Sequence, residues 1–424
     1  MYWLVEDESQ LNVLINSSYK KAFIEVIPFS NAIHPAQSHV SLVYIRPIKA
    51  TKGFMVCIAH SESLNALNTG IDKLLEKFET LYCRDKKEIL HYYPNLFKAL
   101  YDINPPPTTY IRPTTQTHEL YYRQHKDNHE LNLIIPIVKH YEVCETIWGD
   151  LKANINNEKT KYDEFYNNKV SLVFNAIEQS GIRIHNETFE EYFHPVDGEY
   201  VYTQFNLKTT TTRPSNKFKN VNYAALNKEN GCRKSFIPSN SILYEVDISA
   251  YHPSLSCRLI DYNFPTSDIH SHFSKLYNVD YKKSKELTFK QLYGGVFKQY
   301  EHLEFFKKIS IYVKELWEKF ELEGQIVCPV SNFIYKKENL GEMNPQKLFN
   351  YLLQNLETSM NVRILWDIFT VIHNKKSKLV LYTYDSFLFD LSEDEEYLKE
   401  TIKGIFDKYR FSIKTKQGYN YDFK

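Results

Sequence analysis

The chain has 424 residues, 52 Lys+Arg against 52 Asp+Glu for zero formal net charge, and a composition 43% hydrophobic and 15% aromatic. That length and apolar content fill the cores of several compact units, and the charge balance excludes a surface that traps polyanions over its whole extent. No long apolar run occurs, the N-terminal MYWLVEDESQ lacks a basic stretch followed by an apolar core, and Cys57, Cys83, Cys144, Cys232, Cys257 and Cys328 form no CxxC pair. A membrane span, a secretion signal, a zinc site and a disulfide framework are therefore not expected, and a soluble, cytoplasmic protein is.

In chain order, KAFIEVI (21–27) and HVSLVYIRP (39–47) read as strands, with GFMVCIAH (53–60) a third. NALNTGIDKLLEKFETLY (65–82) and NLFKALYDI (95–103) read as helices, so residues 1–150 are expected to form an α/β unit. INPPPTT (103–109) and NINNEKTK (154–161) are the linker candidates. KVSLVFNAIEQSGIRI (169–184) has helical apolar spacing up to a stop at Gly181, followed by a short strand. VYTQFNL (201–207) and ILYEVDISAY (242–251) read as strands, and SDIHSHFSKLY (267–277) and KELTFKQLYGG (285–295) as helices. The long helix NPQKLFNYLLQNLETSMNVRILWDIF (344–369) precedes a hairpin, KLVLYTYDSFLFDLS (378–392).

Charge is unevenly spread. Lys208, Arg213, Lys217, Lys219, Lys228, Arg233 and Lys234 face a single acid, Glu229, within 208–234, and Lys282, Lys283, Lys285, Lys290 and Lys298 follow. These basic stretches flank two aspartates, Asp247 and Asp385, each following an apolar strand pattern and preceding more apolar sequence. A carboxylate so placed is costly unless paired or metal-bound. Two-metal phosphoryl chemistry calls for carboxylates from separate strand ends, with ions about 3.5–4 Å apart clamping the attacking and leaving oxygens; a turn or capping role is the plainer alternative. Lys285, Phe289 and Tyr293 recur at spacing four and share one helix face, cation then two aromatics, suited to a triphosphate and a stacked base or, more plainly, to an amphipathic helix with a snorkelling lysine.

From about residue 170 to the end, the chain resembles the family A DNA polymerases in a series of motifs in the right order. IEQSGIRI is similar to the opening of that family's polymerase region, TQFNLKTTTTRPSNKFKNVN to its threonine-rich segment with Arg213 as the primer- and template-contacting arginine, and VDISAYHPSL to motif A with Asp247 as metal ligand. DIH (268–270) resembles the cap of the fingers helix, placing His270 on the triphosphate; KELTFKQLYGG fits motif B, NYLLQ the Asn-x-x-x-Gln of the pair-probing helix, and YTYDSFLF motif C with Asp385. The resemblance implies an α+β fold: an α/β exonuclease-like domain over 1–150, a linker and vestigial thumb over 151–200, and a right-hand palm and fingers domain over 201–424 with an antiparallel palm sheet. It implies template-directed extension of a primer 3′-hydroxyl with dNTPs. Asp247 and Asp385 would hold two Mg²⁺ ions (or Mn²⁺), and Lys285 and His270 the triphosphate. Phe289 and Tyr293 would line the base-pair pocket, while Arg213, Asn350 and Gln354 inspect the minor groove. Primer-template DNA and nucleoside triphosphates are the implied partners, along with a processivity or replisome protein.

The departures matter. Tyr281 stands where the family has an arginine, with Lys282 or Lys283 as substitutes for its charge. His252 replaces the glutamate that screens out ribonucleotides, and Tyr384-Asp385-Ser386 replaces His-Asp-Glu, with a serine as in single-subunit RNA polymerases; an RNA-making or primase-like enzyme and an inactive nucleic-acid-binding module are the alternatives. The short stretch between IEQSGIRI and VYTQFNL leaves little room for a thumb. In the first unit only Glu25 stands where an Asp-x-Glu is expected, HYYPNLFKAL lacks an aspartate, and Tyr141 and Glu145 are a remnant of the third exonuclease motif, so an inactive scaffold is expected. Lys-, Asn-, Tyr- and Ile-rich, Gly-poor composition suits a compact phage-type form.

Overall fold

The computed structural model describes residues 2–31, 33–63, 71–106, 131–216 and 221–423. Part of the helix read over 65–82, the end of the 103–109 linker, and Lys217 and Lys219 lie outside these. The chain divides into two compact units, Met1–Gln179 and Ser180–Lys424, a division falling inside the 151–200 segment read as linker and thumb remnant.

The first unit is built on a six-stranded sheet of β1 (Trp3–Val5), β2 (Lys21–Pro28), β3 (Val40–Pro47), β4 (Phe54–Cys57), β5 (Thr80–Cys83) and β6 (Leu100–Asp102) in the order β1-β4-β3-β2-β5-β6. β2–β3 and β3–β4 are antiparallel, and β1–β4, β2–β5 and β5–β6 parallel. Side chains alternate across the sheet. Ala22, Ile24, Val43 and Ile45 share one core with Leu11, Leu14, Leu74 and Leu75, while Phe23, Leu42, Tyr44 and Met55 share another with Cys144, Ile147 and Trp148. Both faces are covered, so the strands read as nearly continuous apolar runs.

That double burial explains two corrections. Thr80–Cys83, read as the end of a helix, is β5, the helix stopping at Glu76; and in NLFKALYDI only Pro94–Lys98 makes a single 3₁₀ turn before Leu100–Asp102 becomes β6. A short apolar run buried on both sides carries no period that separates helix from strand. Helix α1 (Ile137–Leu151) covers one face and α2 (Ser171–Gln179) closes the unit. Glu178 on α2 is fully buried against Lys87 Nζ at 2.7 Å and His91 Nε2 at 2.8 Å. The two acids singled out in the sequence are each held by arginine: Glu25 by Arg84 at 3.3 Å, Glu145 by Arg46 at 2.8 Å together with the Tyr44 hydroxyl at 2.8 Å.

The second unit opens with a small antiparallel sheet of β7 (Ile182–Ile184), β8 (Tyr200–Val201) and β9 (Phe236–Ile237). Only a five-residue helix, Asn186–Glu190, lies between β7 and β8. VYTQFNL is not one strand: Phe205–Asn206 pairs with Ser215–Asn216 in a separate ribbon. The central sheet contains β10 (Ile242–Ile248), β11 (Lys378–Thr383), β12 (Ser386–Leu391) and β13 (Ile413–Gly418), all antiparallel, in the order β11-β12-β10-β13. Around it are α3 (Tyr251–Leu259), α4 (Ile269–Tyr277), α5 (Tyr281–Gly294), α6 (Glu304–Glu323), the 28-residue α7 (Pro345–Ile372) and α8 (Leu398–Lys408). Asn344 caps α7, accepting from Lys347 N, with Pro345 at the first position. Buried residues occur on nearly every side of α7, as expected of a helix enclosed by its neighbours. No described helix is long and apolar enough to cross a membrane.

Candidate active site

β10 lies between β12 and β13, which places Asp247 opposite Ser386 on one side and Lys414 on the other. The chain then turns sharply through Ala250, left-handed at φ 46°, to start α3 with His252 in its first turn. Asp385 sits in the two-residue turn between β11 and β12, preceded by Tyr384 at φ 64°. A left-handed non-glycine residue costs roughly 1 kcal/mol or more and persists only when its surroundings hold it. Here Asn361 Nδ2 donates to the Tyr384 carbonyl at 2.8 Å and the Arg213 guanidinium lies 3.7 Å over the Tyr384 ring. The strain sits at the two points that present the aspartates.

The ten residues that the motif resemblance places at the site, Arg213, Asp247, His252, His270, Lys285, Phe289, Tyr293, Asn350, Gln354 and Asp385, line one cavity of about 490 Å³. Asp247 and Asp385 form its acidic end. Burial, then Asp385, then Glu245 push the Asp247 carboxyl up to about 6, and burial above all raises Asp385 as well. Lys285 projects into the same cavity from α5, one face of which also carries Phe289 and Tyr293, their rings stacked at 5.7 Å and 16°.

His270, in the first turn of α4 capped by Asp268, is buried with neither ring nitrogen hydrogen-bonded, and burial with Lys285 nearby lowers it to about 4. A buried ring without partners beside a cation is a site awaiting an acceptor. On α7, Asn350 Nδ2 donates to the Tyr293 carbonyl at 3.0 Å, and Gln354 Oε1 accepts from the Thr211 hydroxyl at 2.9 Å. Arg213 reaches Glu357 with Nε 3.3 Å from Oε2, and His252 lies between Glu357 and Tyr293.

The cavity also holds residues that sequence reasoning passed over. Glu245, two residues before Asp247 on the same strand face, accepts from the Ser386 hydroxyl at 2.9 Å and from Tyr421 at 3.2 Å. Glu357 follows Gln354 by three on α7, so the helical period already placed it on that face. Lys414 donates to the Tyr281 hydroxyl at 3.3 Å, whereas Lys283 pairs with Glu286 at 3.1 Å. Only the strand pairing brings Lys414 to Asp247, which no local pattern reveals.

The donor set suits a hard divalent cation: two oxygen-bearing carboxylates, with no third His, Cys, Asp or Glu arranged with them to hold a metal among the described residues. Magnesium is typically held by one or two carboxylates and completed by water and substrate phosphates.

The fold is α+β, and its helices around a four-stranded antiparallel sheet are similar to the architecture of a polymerase POL domain. The chain aligns over 99% of its length, and over 99% of the other chain, with the POL domain of Pol1 from M. smegmatis, solved as a complex with DNA primer-template and dNTP, at a TM-score of 0.68 and 12% identity. No family model matches the chain, and no curated protein does.

Proposed function

We propose that the chain is a template-directed DNA polymerase that extends a primer 3′-hydroxyl with deoxynucleoside triphosphates, with primer-template DNA and dNTPs as its partners. The supporting observation is the convergence of an acidic pair, a lysine, an unpartnered histidine and a stacked aromatic pair on one cavity from four different segments. The fold it shares with a polymerase domain solved on primer-template DNA points the same way.

In this reading Asp247 and Asp385 hold divalent cations, magnesium or manganese, which when bound neutralise charge on the reacting phosphate. Lys285 and His270 bind the triphosphate, and Lys414 supplies the cation that Tyr281 lacks. Phe289 and Tyr293 form the face on which the incoming base stacks. Arg213, Asn350 and Gln354 probe the minor groove, where every correct pair presents acceptors in similar places. The primer 3′-hydroxyl gives up its proton to solvent as its oxygen bonds to the α-phosphorus, the bond from that phosphorus to the β-phosphate oxygen breaks, pyrophosphate leaves, and Lys285 stands ready to protonate it. Catalysis by this chain is then positioning and charge neutralisation. The first unit is a scaffold in the place of an exonuclease domain, since Glu25 and Glu145 are committed to arginines.

The test is single-nucleotide addition to a labelled primer on four templates that differ only in the templating base. Addition of the complementary dNTP in each case supports the reading; addition indifferent to the template, or none, refutes it.

A further inference from the structure

Glu357 lines the cavity, is 2% exposed, and has no part in the transfer chemistry above. Its Oε2 accepts from His252 Nε2 at 2.7 Å, and its Oε1 from Arg213 Nη2 at 3.4 Å. In the tautomer whose Nε2–H donates to the carboxylate, Nδ1 is an acceptor for the Tyr293 hydroxyl, 2.8 Å away. The two rings also meet edge to face at 5.6 Å and 87°. The imidazole is thus fixed at both nitrogens, from α7 on one side and α5 on the other.

This position has a consequence for the nucleotide, on the polymerase reading. The triphosphate belongs at the end holding the two aspartates and Lys285, and the base on the Phe289–Tyr293 face. The sugar falls between them, where His252, five residues beyond Asp247, touches Tyr293. We propose that Glu357 is a positioning residue for sugar selection: by locking His252 onto Tyr293 it holds both imidazole nitrogens in hydrogen bonds, so that deoxyribose is accepted and a ribose 2′-hydroxyl finds no partner on the ring. A site that strands a polar group discriminates against it, here on the order of 10- to 100-fold in kcat/KM. Released from Glu357, the imidazole can turn and offer a nitrogen to the 2′-hydroxyl.

The test compares insertion of one dNTP and the matching rNTP by the intact wild-type chain and by Glu357→Ala, Glu357→Gln, His252→Ala and the Glu357→Ala/His252→Ala double variant. Glu357→Ala is expected to lower the dNTP-to-rNTP ratio of kcat/KM about tenfold or more, chiefly by raising rNTP insertion. Glu357→Gln, whose amide oxygen still accepts from Nε2, restores most of the ratio, and the double variant loses no more than His252→Ala. A purely structural role lowers both insertions together and leaves the ratio alone, which overturns the inference. An unchanged ratio in His252→Ala overturns it as well, and provides the test should Glu357→Ala fail to fold. Wild-type chain that inserts neither nucleotide refutes the polymerase reading and this inference with it, whereas dNTP insertion with an unaltered ratio in the variants refutes the inference alone.

Discussion

At the scale of single residues, the cavity assembles side chains that were legible because each stands in a short spacing pattern: Lys285, Phe289 and Tyr293 at intervals of four, Asn350 and Gln354 likewise. Lys414 had no such signal, since its place beside Asp247 depends on β10 pairing with a strand 167 positions along, at register Asp247 to Lys414. If Lys414 binds the triphosphate, Lys414→Ala raises KM for the nucleotide by about tenfold, the equivalent of 1.4 kcal/mol, with kcat changed far less, while Lys282→Ala does neither. Steady-state insertion kinetics decide this, and a wild-type KM in Lys414→Ala rejects the role. Glu245 and Glu357, by contrast, were within reach of the same spacing arguments that found their neighbours, one two residues from Asp247 on a strand and the other three from Gln354 on a helix.

At the scale of elements, the long α7 and the β11–β12 hairpin were plain in the sequence, and so was the placement of Asp385 at the turn. The strain at that turn was not, because nothing in Tyr384 itself asks for a left-handed backbone; the conformation is imposed by Asn361 and Arg213 from other elements. Asn361 is wholly buried and also donates to the Tyr382 hydroxyl at 2.7 Å. Asn361→Leu strands both acceptors and is expected to cost about 1–3 kcal/mol, with a further loss of extension because the turn carrying Asp385 is released. Denaturant unfolding beside insertion kinetics checks it; an unchanged midpoint contradicts the claim. The same logic explains β5 and β6, misread as helical because short strands buried on both faces lack alternation.

At the scale of the whole molecule, each of the two units carries its own prediction. The first contains a buried ion pair, Lys87–Glu178, with His91 as a third member. Burial alone would raise the Glu178 carboxyl, but Lys87 and His91 outweigh it and hold it below the ordinary value. A carboxyl lowered on folding contributes stability that is present above its unfolded value and lost as pH falls through the folded one. Unfolding midpoints should therefore fall in acid below about pH 4, and this part of the fall should vanish in Glu178→Gln; an identical acid response rejects the assignment. Lys87→Met removes the ammonium 2.7 Å from the buried carboxylate and should cost about 3–5 kcal/mol. The second unit has only the Asn186–Glu190 helix between β7 and β8 where a thumb would stand. On the proposed polymerase reading low processivity is predicted, and products many tens of nucleotides long from single binding events, with trap DNA and no partner protein, would contradict it. The central claim is tested most directly by primer extension on a defined DNA template with Mg²⁺, supplying all four dNTPs or all four rNTPs to the wild-type chain and to Asp247→Ala and Asp385→Ala. Extension with dNTPs, reduced about 10³-fold or more in both variants, as expected from several kcal/mol of lost transition-state stabilisation, is the predicted result; preference for rNTPs, or dNTP extension that survives either substitution, would contradict the account.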